Sequence, residues 1–264
     1  MTSSLLINIL LVYLVVCGIA YLAQRQLLYR PTTDLPDVAS DNYLMLSGHG
    51  AQLRITIANR QAHQALIYFG GNNEAAARNL PLLQQVFPLH AIYIMHYRGY
   101  DGSSGRPAED ALIDDGQRLY DLVAERHRDI TLIGRSLGSG IAVVTAARNR
   151  VERLVLVTPY DSMVNVASRQ YPWLPVSWLL LDRYEATLHA PTVQAPTLII
   201  AASDDKLTPA TMAESLYKSF AEGVAKMITI NAGHNDIQRN SEYPYLLKGD
   251  FGAASPESLK SLHW

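Results

Sequence analysis

Six short apolar runs recur between residues 65 and 231, and longer amphipathic stretches separate them. The runs are ALIYFG (65–70), AIYIMHY (91–97), ITLIG (130–134), RLVLVT (153–158), PTLIIAA (196–202) and KMITIN (226–231). Their apolarity is continuous rather than alternating, which is typical of strands covered on both faces. The pattern therefore predicts six buried strands.

The intervening stretches have helical length, with clear examples at 74–86, 109–127, 137–149 and 209–221. Strands that alternate with helices predict an α/β fold class with a mostly parallel central sheet flanked by crossover helices. Two earlier segments, YLMLS and AQLRITIAN, are separated by Gly48-His49-Gly50. This arrangement predicts an antiparallel hairpin on one edge of the sheet.

The N-terminal residues follow a different pattern, because residues 5–23 are apolar and carry no charge. A helix of this length just crosses the hydrocarbon core of a bilayer, so we interpret the run as one N-terminal transmembrane helix. A cleaved signal sequence is an alternative, with cleavage near Gly18-Ile19-Ala20, but MTSS lacks the positive charge of such a leader. A lipoprotein leader is disfavoured because the bulky Val16 precedes Cys17.

The charge around the apolar run and the composition after it predict topology and domain organisation. Arg25 and Arg30 follow the run and no lysine or arginine precedes it, which favours a cytoplasmic position for the main domain. We expect residues 1–30 to form the membrane anchor and juxtamembrane segment. Residues 31–41 contain two prolines and several polar residues, which is typical of a linker, and residues 42–264 are then one α/β domain.

Composition narrows the class of protein. With 264 residues, of which 48% are hydrophobic, the chain is long enough for one large core and a cleft. It has 22 basic and 24 acidic residues and a formal charge of -2, so no nucleic acid is expected as a partner. The single cysteine, Cys17, predicts no intrachain disulfide and no metal cluster. No glycine-rich phosphate-binding motif is present, so no cofactor is implied.

The motif IGRSLG (133–138) places Ser136 between a predicted strand and a predicted helix. A serine nucleophile on a strand-to-helix elbow requires this setting. Gly134 and Gly138 provide the small neighbours that so sharp a turn needs, and the helix N-terminus favours developing negative charge. The alternative is a glycine-rich turn with an idle serine, so the partners of Ser136 decide the interpretation.

Two later loops contain the partners that a serine nucleophile needs, namely an imidazole that takes its proton and a carboxylate that orients the imidazole. Asp204 and Asp205 follow the strand at 196–202, and His234 follows the strand at 226–231. The resulting order of Ser, Asp and His along the chain is that of the α/β-hydrolase arrangement. At this point either aspartate can be the acid.

An acyl-transfer enzyme also needs hydrogen-bond donors for the oxyanion of its tetrahedral intermediate. FGGNN (69–73) follows an early strand, and its two glycines allow backbone amides to turn inward. We assign the oxyanion hole to the backbone N–H groups of Asn72 and Leu137. The alternative for FGGNN is an ordinary turn before the next helix.

Several motifs in this order resemble the α/β-hydrolase-fold serine hydrolases, particularly the α/β-hydrolase-domain proteins held to membranes by one N-terminal helix. The motifs are QLLYRP after the apolar run, FGGNN, YRGYDGSSGRP, IGRSLGSG, VTPYDSM, ASDDKLTP and AGHND. The resemblance implies that Ser136 and His234 are the catalytic serine and histidine. It favours Asp205 over Asp204 as the acid, because the family's acid has an apolar residue two positions on and a proline four positions on.

Three positions depart from the family pattern. Gly70 replaces the histidine of the oxyanion turn, His96 replaces an acidic residue or asparagine, and Asp101 replaces a glycine. These departures lie in the loops around the site and leave the three triad residues in place.

The segment from 168 to 193 is the one excursion between predicted strands that is long enough to act as a cap, and it is short. Tyr171, Trp173, Trp178 and leucines 179–181 can line an acyl pocket that faces the bilayer, or they can belong to a helix packed on the sheet edge. The sequence alone leaves both arrangements open, so the residues that bind substrate are not assigned.

The sequence therefore predicts a membrane-anchored serine hydrolase that cleaves carboxylic ester or thioester bonds through an acyl-enzyme. An enzyme held at a membrane meets lipids and acylated proteins, so lipid-like or acylated substrates are expected. A serine peptidase of the same fold is the enzymatic alternative. A catalytically silent scaffold that binds a ligand or partner is the alternative from another class, because a fold alone does not establish activity.

Overall fold

An eight-stranded sheet organises the chain in a computed structural model that describes residues 2–33 and 42–249. The strands are β1 (Tyr43–Gly48), β2 (Ala51–Ala58), β3 (Gln64–Phe69), β4 (His90–Met95), β5 (Ile130–Arg135), β6 (Arg153–Val157), β7 (Thr197–Ala202) and β8 (Ala225–Ile230). Their spatial order is β1-β2-β4-β3-β5-β6-β7-β8. β2 pairs antiparallel with both β1 and β4, and all other neighbours are parallel. The predicted α/β sheet and its edge hairpin are thus confirmed.

Helices precede the sheet, connect its parallel strands and cover its faces. They are α1 (Thr2–Leu28), α2 (Leu80–Val86), α3 (Glu109–Ala124), α4 (Leu137–Arg148), α5 (Met163–Gln170), α6 (Val176–Leu179), α7 (Ala186–His189), α8 (Ala210–Tyr217) and α9 (Tyr243–Lys248). The helix predicted at 74–86 is a short 3-10 turn at 76–79 followed by α2, with a proline in the first turn of α2. Most of the predicted linker, residues 34–41, lies outside the described residues.

The continuous apolarity of the strands is explained by a core on each face of the sheet. Successive residues of a strand point to opposite faces. In β3, Ile67 and Phe69 belong to one apolar cluster while Leu66 and Tyr68 belong to the other. All six residues of β5 are buried. The strand that leads to Ser136 is therefore held from both sides.

The loop after β4 contains two of the three departures from the family pattern, and they contact each other. His96 Nδ1 lies 3.3 Å from Asp101 Oδ2, and His96 Nε2 lies 2.9 Å from the hydroxyl of Thr56. In the same loop, Arg98 donates two hydrogen bonds to the carboxylate of Asp115, at 2.6 and 2.8 Å. The two departures thus form one buried polar contact, and Arg98 braces the loop.

α1 has two contrasting parts. Within the described ranges, Ser3–Leu28 is the one helix long and apolar enough to cross a membrane, with a mean hydropathy of 2.6. Most of it is exposed, since only 6% of its apolar window is buried. Its C-terminal end packs on the domain, and Tyr29 directly after it is 3% exposed. The helix continues past the apolar run because Gln24 and Arg25 find partners in the domain.

Candidate active site

Ser136 occupies a strained turn between β5 and α4. Its backbone has φ 48° and ψ -116°, a conformation that non-glycine residues rarely adopt, and its N–H donates a 2.9 Å hydrogen bond to the Val157 carbonyl. A Cβ at Gly138 would overlap the carbonyl group of Phe69, and one at Gly134 would lie 2.6 Å from the Gly138 carbonyl oxygen. Gly138 is needed because the elbow lies directly against the end of β3, and Gly134 is needed because the start of α4 packs directly on it.

Three side chains from three strand ends form a continuous hydrogen-bonded chain. Ser136 Oγ lies 2.9 Å from His234 Nε2, and His234 Nδ1 lies 2.7 Å from Asp205 Oδ2. Ser136 follows β5, Asp205 follows β7 and His234 follows β8, so parallel strands bring all three to the same edge of the sheet. This is the geometry in which an imidazole can take a serine proton and a carboxylate can hold the tautomer.

The structure brings Asp205, rather than Asp204, to His234. Asp205 Oδ1 accepts the N–H groups of Leu207 and Thr208 at 2.9 and 2.8 Å, and the Thr208 hydroxyl lies 2.9 Å from Oδ2. Burial by itself raises the pKa of Asp205, but the interactions with His234 and Thr208 lower it by a larger amount, so the net pKa lies below its usual value. The Asp204 side chain is exposed, and its backbone N–H donates to Ala232.

The predicted oxyanion residues, Asn72 and Leu137, both line the same cavity as Ser136 and His234. The loop that carries Asn72 is held by the buried carboxylate of Glu74, which accepts hydrogen bonds from the Gly71 N–H, from Tyr68 and from Asn79. Gly70 leaves room for this arrangement, because a Cβ there would lie 3.3 Å from Glu74 Oε2. Glu74 thus holds the turn that the family's histidine would otherwise support.

A buried ion pair joins the oxyanion loop to the histidine loop. Arg135 Nη1 lies 3.1 Å from Glu74 Oε2, and Arg135 Nη2 donates to the His234 carbonyl at 3.1 Å. Burial opposes ionisation of Glu74, but Arg135 and the hydrogen bonds lower its pKa below the usual value. Sequence reasoning missed this pair and Thr208. An arginine at the end of an otherwise apolar strand was the available signal, because a buried charge requires a partner.

Replacing Glu74 by glutamine should destabilise the fold by about 3–5 kcal/mol, because it leaves Arg135 buried without its counter-charge. Since folding lowers the pKa of Glu74, its contribution is complete above the ordinary glutamate pKa and is lost as the pH falls through the folded-state value. Denaturant unfolding of the full chain in detergent, measured at pH 7 and at pH 4, should show a smaller acid-induced loss for Glu74→Gln than for the unchanged chain.

Glu214→Gln is a suitable control for this measurement, because Glu214 pairs with Lys218 on the surface, where their side chains are 44% and 69% exposed. Its effect should stay within about 0.5 kcal/mol. Equal losses for the two variants would contradict the role given to Glu74.

A cavity of about 300 Å³ opens beside Ser136. One wall comes from the connection between β6 and β7, which includes the cap, and is mostly apolar; it comprises Met163, Val166, Ala167, Gln170, Tyr171, Leu174, Val176, Leu179 and Leu180. Trp173 and Trp178 are 56% and 87% exposed and do not line the cavity, so the pocket interpretation holds for Tyr171, Leu179 and Leu180 but is wrong for the two tryptophans and Leu181. Ala20, Gln24, Leu27 and Leu28 of α1 complete the wall.

Comparison with known proteins gives the family. The family model described as "Serine hydrolase" matches residues 108–246, which is more than half of the chain and contains Ser136, Asp205 and His234. The chain belongs to the serine hydrolase family. The predicted family resemblance is thereby confirmed.

The chain is similar to curated proteins over part of their length. It is 35% identical over 150 residues to the uncharacterized protein MT2364 of Mycobacterium tuberculosis, covering 55% of this chain and 53% of that protein. It is 24% identical over 230 residues to lysophosphatidylserine lipase ABHD12 of Macaca fascicularis, covering 74% and 58%. The hydrolase thus spans little more than half the length of these relatives.

Among solved structures, the esterase Pf2001 of Pyrococcus furiosus superposes on the hydrolase with a TM-score of 0.68 at 14% identity. The superposition covers 85% of this chain and 98% of the esterase. At this identity the match establishes the α/β-hydrolase fold.

Proposed function

We propose that the protein is a membrane-anchored serine hydrolase that cleaves carboxylic ester or thioester bonds of lipid-like or acylated substrates. The observation that carries this proposal is the hydrogen-bonded chain of Ser136, His234 and Asp205, in which Ser136 and His234 line a cavity with one mostly apolar wall. The chain supports nucleophilic catalysis, and the cavity wall supports an apolar acyl group as the part of the substrate that is bound.

In the proposed reaction, His234 Nε2 takes the proton of Ser136 as Oγ attacks the acyl carbonyl carbon. The backbone N–H groups of Asn72 and Leu137 stabilise the oxyanion. His234 then gives its proton to the leaving alcohol or thiol, and an acyl-enzyme remains. A water molecule, deprotonated by His234, attacks the acyl carbon; the bond to Ser136 Oγ breaks, His234 returns the proton to Oγ, and the carboxylic acid is released. Asp205 remains ionised throughout and accepts a hydrogen bond from His234 Nδ1.

We further propose that α1 anchors the enzyme in a membrane. The length, the mean hydropathy of 2.6 and the exposure of Ser3–Leu28 support this proposal. A cytoplasmic position of the domain remains the preferred topology, on the basis of Arg25 and Arg30 after the helix. The proposed partners are therefore an acyl ester or thioester substrate and the membrane lipid around α1.

One experiment tests anchoring and hydrolysis together. Membranes from cells that express the full chain are labelled with a fluorescent fluorophosphonate, washed with alkaline carbonate and separated by centrifugation. The labelled protein should stay in the membrane pellet, and labelling should fall when p-nitrophenyl dodecanoate is added as a competing substrate. Label in the supernatant would contradict anchoring, and the absence of label from folded protein would contradict the hydrolase proposal.

A further inference from the structure

The last two and a half turns of α1 form one wall of the cavity beside Ser136. Ala20, Gln24, Leu27 and Leu28 line this cavity, and their spacing of four, seven and eight residues puts them on one face of the helix. Leu22 lies on another face and is 83% exposed. The helix that we propose as the membrane anchor therefore presents one of its faces to the active site.

Polar contacts fix this end of the helix to the cap. The Gln24 amide donates to the Leu179 carbonyl at 3.1 Å and accepts the Leu181 N–H at 2.7 Å. Arg25 donates two 3.0 Å hydrogen bonds to Asp182, whose side chain is only 4% exposed. Such a bidentate pair on a buried carboxylate is far more restrictive than a surface ion pair. Hydrogen bonds thus join the part of the cap that lines the cavity to the part of α1 that lines it.

A second set of contacts fixes the helix end to the oxyanion loop. The Asn72 side chain donates to the Leu28 carbonyl at 2.5 Å and accepts the Arg30 N–H at 2.9 Å. The buried Tyr29 between them bonds to Asp182 at 3.0 Å and to the Tyr184 hydroxyl at 2.8 Å. Residues 20–30 therefore make hydrogen bonds to the cap on one side of the cavity and to the oxyanion loop on the other.

We propose that residues 20–28 of α1 are part of the acyl-binding site and limit the length of acyl chain that the enzyme accepts. This inference rests on the proposed function. Leu27 and Leu28 line the same cavity as the cap leucines, and Ala20 lies about two helical turns away from them, on the side opposite to the contact between Leu28 and Asn72. A short acyl group bound at Ser136 does not reach Ala20, whereas a long one extends along this face.

The test compares Ala20→Trp with the matched control Leu22→Trp in the full chain, purified in detergent micelles. For each variant, kcat/KM is measured for p-nitrophenyl acetate and p-nitrophenyl dodecanoate. Ala20→Trp should lower the dodecanoate-to-acetate ratio at least about tenfold, because the indole fills the space of the distal methylenes. Leu22→Trp should leave the ratio within about twofold of the unchanged chain.

Leu27→Ala is a second variant that keeps the proposal falsifiable where the bulky substitution disturbs folding. The smaller side chain enlarges the cavity, so this variant should raise the ratio of kcat/KM for p-nitrophenyl hexadecanoate to kcat/KM for p-nitrophenyl acetate. Unchanged ratios in both wall variants, or an equal change in Leu22→Trp, would overturn the inference while ester hydrolysis itself persists. Failure of the proposed function has a different signature, since the unchanged chain would then hydrolyse no ester in a Ser136-dependent way.

Discussion

Alanine in place of Ser136 should abolish covalent labelling by a fluorophosphonate and lower ester hydrolysis by roughly four to six orders of magnitude. The reason is that Ser136 Oγ is the group within 2.9 Å of His234 Nε2, so its removal leaves the imidazole without a nucleophile to activate. The backbone hydrogen bond from residue 136 to Val157 is independent of the side chain, so the elbow should persist. Labelling intensity and initial rates, measured on equal amounts of folded protein, check this result.

Ser139→Ala is a close control for Ser136→Ala. Ser139 is also buried in the first turn of α4, but its hydroxyl donates to the Ser136 carbonyl at 2.6 Å and has no contact with His234. It should keep its label and retain activity within about tenfold, since one neutral hydrogen bond is lost. Equal labelling of Ser136→Ala and the unchanged chain would disprove the assignment of the nucleophile.

The second large effect separates the two neighbouring aspartates. Asp205→Asn should lower kcat by about 10⁴, because the asparagine amide can donate to Nδ1 and then stabilises the wrong imidazole tautomer. Asp204→Asn should change kcat only a few-fold, since its side chain is exposed and lies outside the chain of hydrogen bonds. Steady-state rates of p-nitrophenyl ester hydrolysis for the two variants give the comparison.

Thermal unfolding of both variants tests whether a loss of activity comes from a loss of folded structure. Asp205 also accepts the N–H groups of Leu207 and Thr208, so part of any loss could come from a displaced loop. A melting temperature near that of the unchanged chain would assign the loss to the imidazole. A larger fall in kcat for Asp204→Asn would reverse the assignment of the acid.

The parts of the fold that follow from local patterns were predictable from the sequence. Strands buried on both faces leave a continuous apolar run, and all six such runs coincide with strands to within one or two residues. The order of Ser136, Asp205 and His234 at strand ends was readable because parallel strands place those ends together. The choice between the two aspartates came from the family resemblance, since the local pattern suits both.

Contacts between distant polar residues were not predictable. Arg25 and Asp182 are separated by 157 positions, and no sequence motif around either residue indicates that the two form a pair. The same holds for Asn72 and Leu28, which are 44 positions apart. A single sequence shows which side chains are polar but not which buried partner each finds. The docking of α1 on the cap was therefore missed, and the helix end was predicted as a juxtamembrane segment.

The double fixation of α1, to Asp182 and to Asn72, has a mechanical consequence in a bilayer. The apolar run at 5–23 is roughly 29 Å long as a helix, close to a hydrocarbon core about 30 Å thick, so the proposed anchor would tilt where the membrane is thinner than average. Because hydrogen bonds fix the C-terminal end of α1 to the domain, the domain would tilt together with the helix. The thickness of the membrane would then determine how far the mouth of the cavity stands from the lipid surface.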